Sequence, residues 1–229
     1  MAVKYDPDFA PRRINRWFSD AKFAADLDVN SPSTRFLIGV NSAAGATGAI
    51  CSGIAATAAA SATLATAYEI SDAQYGRCLN VVGSVGATTG ATSTMTLYGL
   101  DYLGQPLSET VTLNGTATIT TKKAFKWLTH YAVGAQAATV SIGISNTFGL
   151  PYRTIALQTD IVNGVGAATA GTVSAGADIT LTQTATTSDP RGLYTPHTSL
   201  SPNGSRSYEI LIICDVQGAN IYGGQHFFS

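Results

Sequence analysis

Charge is scarce in this 229-residue chain: Asp, Glu, Lys and Arg together make up 12% of it, about half the roughly 25% of an ordinary soluble domain. The net charge is −1, so no global basic field exists to draw in nucleic acid, and no direct nucleic-acid partner is expected. Cysteine is equally sparse. Cys51, Cys78 and Cys214 stand far apart with no CxxC spacing, and an odd count without a secretory leader reads as reduced, structural thiols. The N-terminal MAVKYDPDFAPRRINRWF lacks the apolar stretch of a signal peptide. Long runs of large aliphatic side chains are missing too. Residues 50–68, ICSGIAATAAASATLATAY, are uncharged and nearly long enough to span a bilayer. Ile50, Ile54 and Leu64 are their only large aliphatic residues, however, and Ala, Ser, Thr and Gly gain little in lipid. Gly53 and the many Thr and Ser residues also disfavour a helix. Extended structure is expected there, and no membrane partner.

The motifs of familiar chemistry are absent as well. His130, His197 and His226 are scattered, without the HxxxH or HExxH spacing that holds zinc. There is no GxSxG elbow, P-loop or dinucleotide fingerprint. The glycines of GSVGATTG, residues 83–90, have neither the lysine nor the following helix of a phosphate cradle, so they read as turn glycines. No catalytic residue, metal ligand or cofactor follows from the sequence.

What is present is β-structure. Hydrophobic residues reach 45%, much of it Ala, but with enough Val, Ile, Leu and aromatic side chains for a core. FLIGV (36–40), LATAYEI (64–70), RCLNVVG (77–83), TMTLYGL (94–100), LSETVTL (107–113), AFKWLTHYAV (124–133), TVSIGI (139–144), RTIALQTDIV (153–162) and YEILIICDV (208–216) are rich in β-branched and aromatic residues and bounded by turn formers. Many short strands with frequent turns predict an all-β, antiparallel sandwich or jelly-roll-like domain over residues 36–229. The tract NGVGAATAGTVSAGA (163–177) reads as a loop or a weakly patterned edge.

Residues 1–35 form a distinct N-terminal arm. Arg12, Arg13 and Arg16 interleave with Trp17 and Phe18, while five Asp residues nearly cancel the basic charge. Pro11 can start a short helix, which would place Ile14, Trp17, Phe18, Ala21 and Ala25 on one face. That stripe packs either on its own domain or on a neighbouring subunit, where Arg and aromatic residues are the usual anchors. A second region, TSDPRGLYTPHTSLSPNGSRS (187–207), is dominated by turn residues. It is either an interaction loop presenting Arg191 and Tyr194 or an ordinary surface excursion.

One stretch poses a sharper choice. LYGLDYLGQPLSETVTLNG (97–115) holds two carboxylates, Asp101 and Glu109. Period-two phasing puts Met95 and Leu97 on one face and Leu107, Glu109, Val111 and Leu113 on the same side of the returning strand. DYLGQP is turn material: Asp101 can bond its own backbone, Gly104 can take positive φ, and Pro106 stops the turn. Asp101, Gly104 and Pro106 are therefore structural turn residues. Glu109, inward in phase, requires either a sheet edge or one of Lys122, Lys123 and Lys126, because a lone buried carboxylate is costly.

The succession Gly76-Arg77, Gly99 with Asp101, Leu103-Gly104-Gln105-Pro106, Glu109, Asn114-Gly115, Lys123-Ala124-Phe125 and Gly149-Leu150-Pro151 resembles that of tailed-bacteriophage head decoration, or cement, proteins and related virion structural proteins. It covers roughly residues 76–152. The resemblance implies a β-rich, non-enzymatic subunit, made in the host cytoplasm, that joins neighbouring capsomers on the outside of an icosahedral head. It also implies a homotrimer or homodimer, with the major capsid protein as partner and the arm as a tether. A receptor- or glycan-binding virion protein, with the 187–207 loop as its site, and a tail-tube or head-completion subunit are the alternatives.

Overall fold

Alternation of apolar and polar residues, interrupted by glycine and proline, decides most of the architecture. The computed structural model describes residues 33–55, 60–83, 94–135, 139–151, 154–175 and 191–214. In chain order the strands are β1 (Ser33–Ser42), β2 (Ala46–Ala55), β3 (Ala60–Glu69), β4 (Arg77–Gly83), β5 (Thr94–Leu100), β6 (Pro106–Thr112), β7 (Ile119–Thr120), β8 (Trp127–Val133), β9 (Thr139–Gly149), β10 (Thr154–Val162), β11 (Val165–Gly166), β12 (Thr172–Ala175), β13 (Gly192–Thr195) and β14 (Arg206–Cys214). A single 3-10 turn, Thr198–Leu200, is the one helical element among the described residues.

The strands form three sheets: β1-β14-β10-β11, β12-β13-β9-β4-β7 with β2 also on β9, and β3-β8-β5-β6. Every strand pairing among the described residues is antiparallel. The fold is an all-β sandwich. Its core draws on all three sheets: Leu79, Val81, Val140 and Ile142 from the second, Met95, Leu97, Leu107 and Val111 from the third, Ile38, Tyr208 and Ile210 from the first. Each large apolar side chain so buried contributes about 1.5–3 kcal/mol. The β5–β6 hairpin follows the expected phase, with Met95 opposite Val111 and Leu97 opposite Glu109.

The described parts of the region of small residues, 50–55 and 60–68, are extended, as expected, but they are also laddered. β2 runs along β9 with Ala46 opposite Ile144 and Cys51 opposite Ile142, so β2 bulges between two near-adjacent rungs. The bulge rests on Gly143, where a Cβ would lie 1.7 Å from the Ala46 carbonyl oxygen. Only a residue without a side chain lets the two backbones approach so closely. The tract at 163–177, expected to be a loop or a weakly patterned edge, supplies β11 and β12, each the end strand of its sheet. A two-residue Asn163-Gly164 turn, both residues at positive φ, folds β11 back on β10.

Candidate functional site

The charged side chains inside the domain are the places where a chemical site could reside, and each has a structural partner. Asp101 follows the end of β5 at 2% exposure. Its Oδ1 accepts hydrogen bonds from the backbone N–H groups of Leu103 and Gln105, both at 2.8 Å. The Gly104 N–H returns to the Asp101 carbonyl at 3.0 Å, with Gly104 at φ 78°. Asp101 Oδ2 meets Arg191 Nη1 at 3.3 Å, and the Arg191 guanidinium lies over the Tyr102 ring, 4.9 Å from its centre. Tyr102 in turn donates to the Pro151 carbonyl at 2.9 Å. This cluster joins the β5–β6 turn to the end of β9 and the start of β13.

Glu109 sits three residues into β6, roughly 10 Å along the strand from the hairpin end. The two carboxylates share no partner among the contacts of either group. Glu109 Oε1 accepts from the backbone N–H of Lys122 at 2.7 Å and Oε2 from that of Lys123 at 2.9 Å. Two successive amides on one carboxylate form a small anion nest, here occupied from within the chain. The Lys123 ammonium, itself buried, donates to the Ser108 carbonyl at 2.8 Å. Both sequence expectations for Glu109 therefore meet: β6 is the last strand of its sheet, and the lysine segment covers it, through backbone rather than ammonium donors. Burial pushes the Glu109 carboxyl up to about 7, against the opposing pull of those two amides and of Lys123 and Lys122. An inward charge capped by a loop also blunts an edge that would otherwise invite another strand.

Arg191 and Tyr194, expected at a partner surface, lie instead inside the domain, at 2% and 0% exposure. Arg191 is held by Asp101. Tyr194 Oη donates to Asp160 Oδ2 at 2.6 Å, and the same oxygen accepts from the Gly171 N–H at 2.8 Å. Burial, with the Asp160 carboxylate beside it, raises the Tyr194 hydroxyl well above the ordinary tyrosine range, so it stays a donor. The turn-rich composition of 187–207 concealed a real strand, β13, whose alternate residues Gly192 and Tyr194 point inward. Arg12, Arg13, Arg16, Trp17 and Phe18 lie outside the described residues.

Arg77 is a further buried charge that the sequence reading left unassigned. It heads β4 with no exposed surface. Nε donates to the Ser145 carbonyl at 2.9 Å, and Nη1 to the Ala43 carbonyl and to Asp72 Oδ2, each at 2.9 Å. The cation stacks over Phe148 at 5.0 Å. Asp72 Oδ2 also takes the Ala43 N–H at 2.7 Å. Burial lowers the guanidinium's affinity for its proton while Asp72 pulls the other way, and an arginine remains charged under both. The signal was available: a lone charge inside an otherwise apolar strand, as in RCLNVV or TDIV, demands a fixed partner.

Among the described residues no group of three or more His, Cys, Asp or Glu side chains could hold a metal ion. No helix among them is long and apolar enough to cross a membrane. No protein family, curated protein or solved structure matches the chain.

Proposed function

We propose that this chain is a non-enzymatic virion structural protein that binds the outer surface of an icosahedral phage head and cements neighbouring capsomers. The observation that carries the reading joins sequence to fold. Five of the residues on which the resemblance rests, Arg77, Asp101, Gly104, Glu109 and Lys123, are turn formers or buried charges with partners in the chain. What such a succession carries is an architecture rather than a catalytic constellation. Low charge supports the same reading, because a surface poor in Lys and Glu suits contact with protein neighbours better than free solution. Many modest contacts repeated around a shell accumulate into large avidity.

The test is copy number per particle, measured by quantitative mass spectrometry of purified virions that contain the protein. Hundreds of copies in simple ratio to the major capsid protein are expected. A few copies to a few dozen would assign it to the tail or the vertices and overturn the cement reading.

A further inference from the structure

The sheet β1-β14-β10-β11 has two faces of different fate. Ile38, Tyr208, Ile210 and Val162 point inward and are buried. The alternate residues therefore point away from the core: Leu211 lies opposite Arg35 and Glu209 opposite Leu37, with Ile161 on the far side of Glu209. Leu37 is 47% exposed and Val40 50%, two of the four most exposed large apolar side chains among the described residues. One ion pair interrupts this face, on which Thr159, opposite Leu211, is also polar. The Arg35 Nε donates to Glu209 Oε2 across the β1–β14 ladder.

We propose that this outer face is a two-fold interface with a second copy of the chain. An isologous contact must be self-complementary, because each copy presents the same patch. One cation beside one anion, set among Leu37, Val40, Ile161 and Leu211, meets that demand. A half-turn about an axis through the pair places Arg35 against Glu209 of the partner subunit, and the reverse, so neither charge is buried without an opposite neighbour. Face-to-face packing, rather than strand addition, is the mode the edge favours. The outer rim of β1 already exchanges hydrogen bonds with the turn that precedes β4, from the Val40 N–H to the Asp72 carbonyl at 3.1 Å and from the Gln74 N–H to the Ile38 carbonyl at 2.9 Å. The inference stands independently of any virion role.

Sedimentation velocity of the full chain over a range of concentrations tests it, using Arg35→Glu and Glu209→Arg separately and mixed. Wild type should dimerise. Each single reversal should weaken association at least tenfold, because like charges then face each other across the axis. Mixed in equal amounts, the two variants should recover a heterodimer, since the doubly acidic patch of one then faces the doubly basic patch of the other at both contacts. Leu37→Glu should abolish association in every combination, with circular dichroism showing an unchanged fold. A wild-type monomer at all concentrations, a closed trimer, or a dimer indifferent to these reversals and to mixing would each overturn the proposal. Because the readout is association in free solution, its outcome is separate from copy number on a capsid.

Discussion

Replacing Glu109 with Gln should change how stability depends on pH more than it changes stability itself. Burial holds the Glu109 carboxyl near 7 in the folded chain, against an ordinary value of 4.5. Below 4.5 the group is protonated in both states and contributes nothing to the pH dependence. Between 4.5 and 7 the unfolded chain releases its proton while the folded chain keeps it. Stability therefore falls as pH rises, by about 1.4 kcal/mol per pH unit and about 3 kcal/mol in all, then levels off above 7. Gln cannot titrate, so that slope disappears. It can accept from one of the two lysine amides, but its own NH2 then faces the other, a loss of about 1–3 kcal/mol. At pH 5 the variant should be no more stable than wild type; at pH 8 it should match wild type or exceed it by up to about 2 kcal/mol. Urea unfolding at half-unit pH steps measures this, and the difference between the two curves cancels every other titrating group. If wild type instead gains on the variant between pH 5 and 8, the amide nest outweighs desolvation and the reasoning fails.

Two further outcomes follow from the structure, and two from the proposed role of the N-terminal arm as a capsid tether. Asp101→Asn should leave the turn bonds to Leu103 and Gln105 largely intact but take one charge from the buried Asp101–Arg191 pair, at a cost of about 1.5–3 kcal/mol in urea unfolding; with Arg191→Met in the same chain the losses should fall short of additivity. Gly143→Ala should force β2 off β9, costing about 1–3 kcal/mol or more, with hydrogen exchange accelerated first across residues 46–55. Deleting residues 1–22 should leave the β-domain's far-ultraviolet circular dichroism intact and abolish co-sedimentation with capsids; full retention of binding would remove the arm from the interface. Replacing Trp17 and Phe18 by Ala should weaken that co-sedimentation by more than about 1 kcal/mol.

The sequence was most legible where one face is core and the other is not. TMTLYGL alternates along its whole length and is a strand from Thr94 to Leu100, and RCLNVVG, with β-branched residues ahead of a glycine, is one from Arg77 to Gly83 although its first three residues are all buried. It was least legible where small residues remove the contrast between faces. β2 and β12 carry mostly Ala, Thr, Ser and Gly, and they are strands because β9 and β13 offer them ladders, a property of the neighbours rather than of their own residues. The buried charges divide the same way. Asp101 announced itself through local turn chemistry within four residues. The partners of Arg191 and Tyr194 are 90 and 34 residues away, and a stretch full of Pro, Ser and Gly hides that they face inward. For Glu109 the phase was readable, whereas its capture by backbone amides depends on how the 121–123 segment crosses β6.

The pairing of β1 with β14 sets a timetable. The side chains of Arg35 and Glu209 meet across 174 residues of chain. At ~5–20 residues per second, a ribosome needs roughly 9–35 s to carry synthesis from one strand to the other. During that interval β1 has the Asp72–Gln74 segment to lean on, while the strand that completes its sheet has not yet been made. The second and third sheets draw most of their pairing from residues 46–149, so they can assemble first and the terminal strands close last. Non-local closure of this kind is slow. A chain so ordered gains its final surface only once β14 has been made, so the outer face of β1 and β14 is missing from every shorter nascent chain.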